Sequence, residues 1–176
     1  MAEIKIDLPI CDGDIENLRA GDKVLLSGTL LTARDAAHKR LYEAMCRNEE
    51  LPVRIAGETV YYLGPSPAPA GRIIGSAGPT TATRMDKYTP LFLQKGMKAM
   101  IGKGRRSQEV IRAMTEQKAV YFAAIGGCGA LLARCIVRSE ILCYEDLGTE
   151  AIRRLTVKDF PCIVAIDSKG NNLYEQ

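Results

Sequence analysis

The chain opens on an alternation. Ile4-Lys5-Ile6-Asp7-Leu8 puts an apolar side chain at every second position, the period of a strand with one buried face. Val24-Leu25-Leu26-Ser27-Gly28-Thr29-Leu30-Leu31 is apolar enough to predict a central strand. The period then changes, because Ala37, Leu41, Ala44 and Met45 share one face of a helix over about 35–47, with Asp35 placed to cap its start. Pro52, Pro65, Pro67 and Pro69 bracket a short strand at 59–63 inside a loop region. Beyond it, 72–77 reads as a strand and about 84–95 as a helix interrupted by Pro90. The second half alternates more regularly. Strands are predicted at 97–102, 119–125, 136–144, 152–157 and 162–167, helices at 107–115 and 130–134, and a hairpin turn at Ser168-Lys169-Gly170-Asn171. This order predicts an α/β fold, a mixed sheet with helices packed on it and additional β pairing in the first part and at the C-terminus.

Composition narrows the function classes. At 176 residues, 47% hydrophobic and 26% charged, the sequence fits one domain, 1–176, able to bury its own core. No apolar stretch reaches the roughly 20 residues of a membrane span, and the start lacks a secretory signal pattern, so a soluble, cytoplasmic protein is expected, with no membrane partner. Six cysteines, with no C-x-x-C pair and mostly inside apolar runs, read as small buried hydrophobes in a reducing compartment; no metal ligands are expected in this chain. A net charge of +3, no Lys/Arg block with interleaved aromatics and no Trp argue against nucleic acid as a partner.

The basic residues that matter are local. His38, the only histidine, lies in Arg34-Asp35-Ala36-Ala37-His38-Lys39-Arg40, just after an apolar strand, a place suited to acid/base chemistry. Gly78-Pro79-Thr80-Thr81-Ala82-Thr83-Arg84 ends a strand in glycine, offers two threonine hydroxyls for capping, and adds a planar guanidinium suited to a carboxylate. Gly102-Lys103-Gly104-Arg105-Arg106-Ser107 closes another strand with cations beside glycines; it is neither a Walker loop nor a Rossmann fingerprint. A third turn, Ile125-Gly126-Gly127-Cys128-Gly129, carries no charge. With parallel neighbouring strands these turns converge beyond the carboxyl ends of the sheet, on a pocket for a small dianion. Asp35 and Asp86 are expected to orient the arginines or the histidine.

Taken in order, these motifs resemble the β subunit of class I, iron–sulfur-dependent fumarate hydratases. The resemblance continues through Val120-Tyr121-Phe122-Ala123-Ala124-Ile125-Gly126-Gly127, Tyr144-Glu145-Asp146-Leu147-Gly148 and Asp159-Phe160-Pro161, nearly end to end. The β subunit of L-tartrate dehydratase is similar but more distant. The resemblance implies a swivelling β/β/α domain and a partner: a separate α subunit, or a fused N-terminal domain, whose three cysteines hold a [4Fe-4S] cluster. The implied assembly is α2β2, with this chain as the separate β subunit and without the cluster.

The implied reaction interconverts fumarate and L-malate. The open iron of the cluster serves as Lewis acid, and preformed cations meet the charge that builds when the proton beside the other carboxylate leaves. By resemblance Arg84 and Arg106 clamp substrate carboxylates, with Thr80 and Thr81 beside them, Lys103 and Arg34 add positive field, and His38 has an acid/base or proton-relay role to which a neighbouring threonine or lysine has equal chemical claim. Ala33 stands where glycine is common, and Arg105 where asparagine is common, the latter a place for a shift toward a larger or more polar diacid. Alternatives are a tartrate dehydratase β subunit, a mesaconate-type substrate, and a non-catalytic anion-binding or capping partner; on fold analogy alone, His38 is also a candidate phosphocarrier.

Overall fold

A computed structural model describes residues 3–125 and 127–175. The alternating start forms β1 (Ile4–Leu8), parallel to the first half of β2 (Lys23–Thr32). The end of β2 pairs in parallel with β3 (Thr59–Tyr61), β3 with β4 (Ala99–Gly102), and β4 with β5 (Val120–Ala123). The long strand Ile152–Ile166, β7, is antiparallel to β5 and also to β2 along most of its length. Pairing therefore runs β2-β3-β4-β5-β7 and returns to β2, a closed circuit that leaves β1 and β6 (Ile136–Cys143) outside it, β6 as an antiparallel edge on β7. Closure removes the open edges of its strands.

The period-2 pattern sorts side chains between two cores. Tyr61, Ala99, Ile101, Val120, Phe122, Phe160 and Val164 fill the inside of the circuit with Leu26 and Leu30. Their neighbours in sequence, Val60, Tyr62, Met100 and Tyr121, face outward. Helices cover that outer face: α2 (Asp35–Cys46) with Ala37, Leu41 and Met45, α3 (Thr89–Gln94) with Phe92 and Leu93, and α4 (Gln108–Gln117) with Val110 and Met114. Two short helices complete the set, α1 (Asp12–Asn17), which inserts Ile15 into the inner core, and α5 (Gly129–Arg134). Where β1 presses on β2, Gly28 has φ +125°, and a methyl group there would lie 2.2 Å from the Leu8 carbonyl oxygen, so only glycine fits. The fold is thus mixed α/β, as expected.

Several local expectations differ. Residues 72–77 form no strand. Their backbone is bonded elsewhere, with Ser66 N donating to Ser76 O, Ser76 N to the Ser66 hydroxyl and Ala77 N to Gly129 O, so the proline-rich stretch is a pinned loop. The stretch 84–95 divides into a 3-10 turn, Ala82–Met85, and α3, with Pro90 in the first turn of α3, where a missing N–H costs nothing. The strands expected at 152–157 and 162–167 are one strand, because Asp159, at φ 49°, supplies a bulge in place of a turn. Helix α1 has a single buried residue and left no periodic signal. Asp35 is the first residue of α2 and not its cap; the carboxylate that accepts from Ala36 N, at 3.0 Å, belongs to Glu150. Of the cysteines expected to be buried only Cys162 is; Cys11 and Cys46 are exposed and the other three intermediate. No helix of the described residues is long and apolar enough to cross a membrane.

Candidate functional site

The carboxyl ends of β2, β3, β4 and β5 lie along one edge of the circuit, since all four strands run parallel. Arg34 follows β2, Gly64 lies just past β3 and Lys103 follows β4. The Gly78–Arg84 motif is threaded between the last two: Thr80 N donates to Tyr62 O, Lys103 N to Thr80 O and Ala82 N to Lys103 O. A cleft of about 370 Å³ opens here, lined by Gly64, Gly78, Pro79, Lys103, Gly127 and Gly129 with the hydroxyl residues Ser66 and Ser76. Gly126, part of the glycine turn singled out above, lies outside the described residues.

The cations at this edge are held differently. Arg84 is half-exposed; its Nε donates to Asp35 Oδ1 at 2.9 Å and its Nη2 lies 2.7 Å from Asp35 Oδ2, so Asp35 orients the guanidinium as expected. Arg34 packs so closely on Gly64 that a methyl group there would come within 2.8 Å of its Nη1, while its Nε is 3.5 Å from Glu150 Oε1 and 3.8 Å from Asp35 Oδ2. Lys103 is exposed and forms no ion pair among the described residues. Thr81 is exposed and Thr80 half-buried, and the Thr81 side chain caps nothing. Two backbone N–H groups of this motif, those of Thr80 and Ala82, are taken by Tyr62 O and Lys103 O, and the Thr80 and Thr81 hydroxyls stand at the same edge.

Two predicted site residues stand behind the edge. Arg106 is wholly buried: its Nε donates to Asp86 at 2.7 Å, Nη2 to the Thr89 hydroxyl at 2.7 Å and Nη1 to the Tyr62 hydroxyl at 3.3 Å, and the rings of Tyr62 and Tyr121 lie 5.3 and 5.1 Å from its carbon. The carboxylate it clamps is the protein's own, which corrects the expectation of direct substrate contact. His38 is also closed off from solvent, among Tyr62, Tyr88 and Phe92, with ring centroids 5.2, 6.2 and 4.8 Å away. Its Nδ1 donates to the Arg34 carbonyl at 3.0 Å and Nε2 has no partner among the described residues. Burial, above all, pushes the imidazole down to about 4, and Arg106 nearby acts the same way. An enclosed, neutral imidazole does not suit a phosphocarrier.

The remaining basic residues of the first motif turn outward, Lys39 toward Glu43 and Arg40 in a two-bonded pair with Asp146 at 2.9 and 2.8 Å over the Tyr144 ring. Arg105 is exposed. Glu150 and Gly64 were missed by sequence reasoning. Glu150 lies 114 residues from the backbone group it caps, beyond any local signal, and Gly64 differs from other loop glycines only through the Arg34 side chain that crosses it. Among the described residues no group of three or more His, Cys, Asp or Glu is arranged to hold a metal ion, and all six cysteines are free. The described residues thus bring together no ligand set suited to a cluster.

A strand edge that carries cations and threonine hydroxyls, on a mixed α/β circuit, is the class of site that fold and side chains define. The chain matches the family model described as Fumarase C-terminus over residues 1–176 and belongs to that family. It is 44% identical to the aerobic class I fumarate hydratase of Salmonella typhimurium over 88% of this chain and 27% of that protein, and 40% identical to fumarate hydratase 2 of Leishmania major over 89% and 28%. It is 37% identical to a putative L(+)-tartrate dehydratase subunit beta of Methanocaldococcus jannaschii, over 93% of this chain and 87% of that one. The chain thus spans little more than a quarter of these two fumarate hydratases, and most of the tartrate dehydratase subunit.

Proposed function

We propose that this chain is the dicarboxylate-binding β subunit of a hydro-lyase that reversibly hydrates fumarate to L-malate, at an active site shared with a cluster-bearing α subunit. One observation carries the reading: three motifs far apart in sequence bring Arg34, Arg84 and Lys103, with the threonines at 80 and 81, to one exposed edge. The [4Fe-4S] cluster is assigned to the partner, in a cytoplasmic α2β2 assembly.

On this reading Arg84 presents its fork to one carboxylate, with Thr80 and Thr81 as hydroxyl donors. Lys103 and Arg34 oppose the second negative charge that develops as the proton beside a carboxylate is removed, and cost no reorganisation when it does. Thr81 and Lys103 are the edge groups suited to handle that proton. His38 and Arg106 act from behind, His38 through the Arg34 carbonyl and Arg106 through Asp86. The likeness to the tartrate dehydratase subunit, which covers most of both chains, favours tartrate as the second substrate to examine.

The test is anaerobic turnover of fumarate, L-malate and tartrate by the chain alone, by the cluster-loaded α subunit alone, and by the two mixed. Fumarate hydration only in the mixture supports the reading; the same rate from α alone makes this chain a cap, and tartrate turnover alone shifts the substrate. The Gly64→Ala variant provides a finer check. The atoms nearest the added methyl all belong to the flexible Arg34 side chain, so melting temperature is expected to hold while displacement of Arg34 raises the KM for fumarate about tenfold.

A further inference from the structure

Thr80–Asp86 and Lys103–Ser107 run side by side at the edge and are pinned at both ends. The first pin is backbone: Lys103 N to Thr80 O at 3.2 Å and Ala82 N to Lys103 O at 2.9 Å. The second is the Asp86 carboxylate, which accepts from Arg106 Nε through Oδ1 and from Ser107 N through Oδ2, each at 2.7 Å. Arg84 lies between the pins on one stretch, and Lys103 begins the other. The backbone pin alone leaves Arg84 two residues further on, at the end of a single 3-10 turn without a side-chain cap.

Asp86 closes that gap from a nearly buried position, with its side chain 12% exposed against 0% for Arg106. Arg106 is fixed in turn by the Thr89 hydroxyl, which itself donates to Met85 O at 2.9 Å, directly beside Arg84 in the chain. A buried ion pair is a poor source of stability compared with apolar residues of the same volume, but it holds one geometry. We propose that Asp86, gripped by Arg106, is a positioning residue that sets the spacing between Arg84 and Lys103, and through it the length of the dianion the edge accepts. The substrate class rests on the reading above; the strut is a property of this chain and is testable without turnover.

The full chain is titrated with succinate and with glutarate, four- and five-carbon diacids, while NMR follows the Arg84 Nε–H and Lys103 signals. Wild type is expected to bind succinate the more tightly, with both signals moving together. Asp86→Asn, and Asp86→Ala combined with Arg106→Met, which replaces the pair by apolar groups and keeps a folded protein available, should weaken succinate about 10- to 100-fold and erase the preference. In the reconstituted enzyme the same variants should raise the KM for fumarate far more than they lower kcat. A folded variant that keeps the wild-type preference, or a wild type that shows none, overturns the proposal. Absence of fumarate turnover by the wild-type mixture would instead defeat the hydratase reading and leave the titration to decide the strut.

Discussion

Replacing Arg84 by Ala should reduce kcat/KM for fumarate about 10²- to 10³-fold while the chain still folds and still assembles with its partner. The magnitude is that of removing one preorganised charged donor from a site where negative charge develops. Folding should survive because the side chain is half-exposed and its ion pair with Asp35 lies at the surface, where such pairs contribute little. Arg84→Lys should recover only a small part of the loss, since an ammonium cannot present two parallel N–H groups to a carboxylate. Steady-state kinetics of the mixed enzyme, with size-exclusion chromatography of the complex, measure both halves of the expectation. Unchanged turnover in an assembled complex would make the chain a structural cap, whereas loss of assembly would move Arg84 to the subunit interface.

Arg84 and Arg106 also mark the limit of what the sequence discloses. In the sequence both follow glycine-bearing turns after an expected strand, both have an aspartate expected to orient them, and both read as carboxylate clamps. Their fates diverge because Arg106 meets Asp86, Thr89 and two tyrosine hydroxyphenyl rings that come from four other places in the chain, enough partners to take a guanidinium wholly out of water. Arg84, among the described residues, pairs with Asp35 alone and stays at the surface. Nothing local distinguishes the two.

What was legible follows from periodicity. The parallel strands β3, β4 and β5 are short, but each alternates between an inner and an outer core, and the helices after β2 and β4 begin where the period changes. Convergence of the motifs at one edge followed from the parallel order. Residues 72–77 misled because an apolar run between glycines satisfies the strand pattern, while its hydrogen bonds go to Ser66 and Gly129, outside any ladder. The closed circuit was hidden for a related reason: it depends on β7 reaching both β2 and β5, and Phe160-Pro161 near a positive-φ aspartate reads as a break in a strand that passes through it.

Between pH 7 and pH 4 the chain should lose about 3 kcal/mol of stability through His38, a factor of roughly 100 in its folded-to-unfolded ratio. The folded imidazole is held at about 4, mainly by burial, against 6.5 when unfolded. As pH falls below 6.5 the unfolded chain takes up a proton that the folded chain refuses until about 4, so stability is level above that window and declines across it. His38→Phe should remove this loss without leaving a polar group stranded: the Arg34 carbonyl keeps the His38 backbone N–H as donor at 2.8 Å, and the unpartnered Nε2 disappears. Urea unfolding of both proteins at pH 7, 5.5 and 4.5 measures the difference, in which carboxylates common to the two cancel. Equal acid losses would mean the imidazole is reached by protons in the native state. Turnover supplies the complementary outcome, because a histidine that stays neutral down to about pH 4 gives no limb near pH 6.5. An acid limb there that vanished in His38→Phe would restore His38 as the acid/base group, and its absence leaves that function to Lys103 and Thr81 at the open edge.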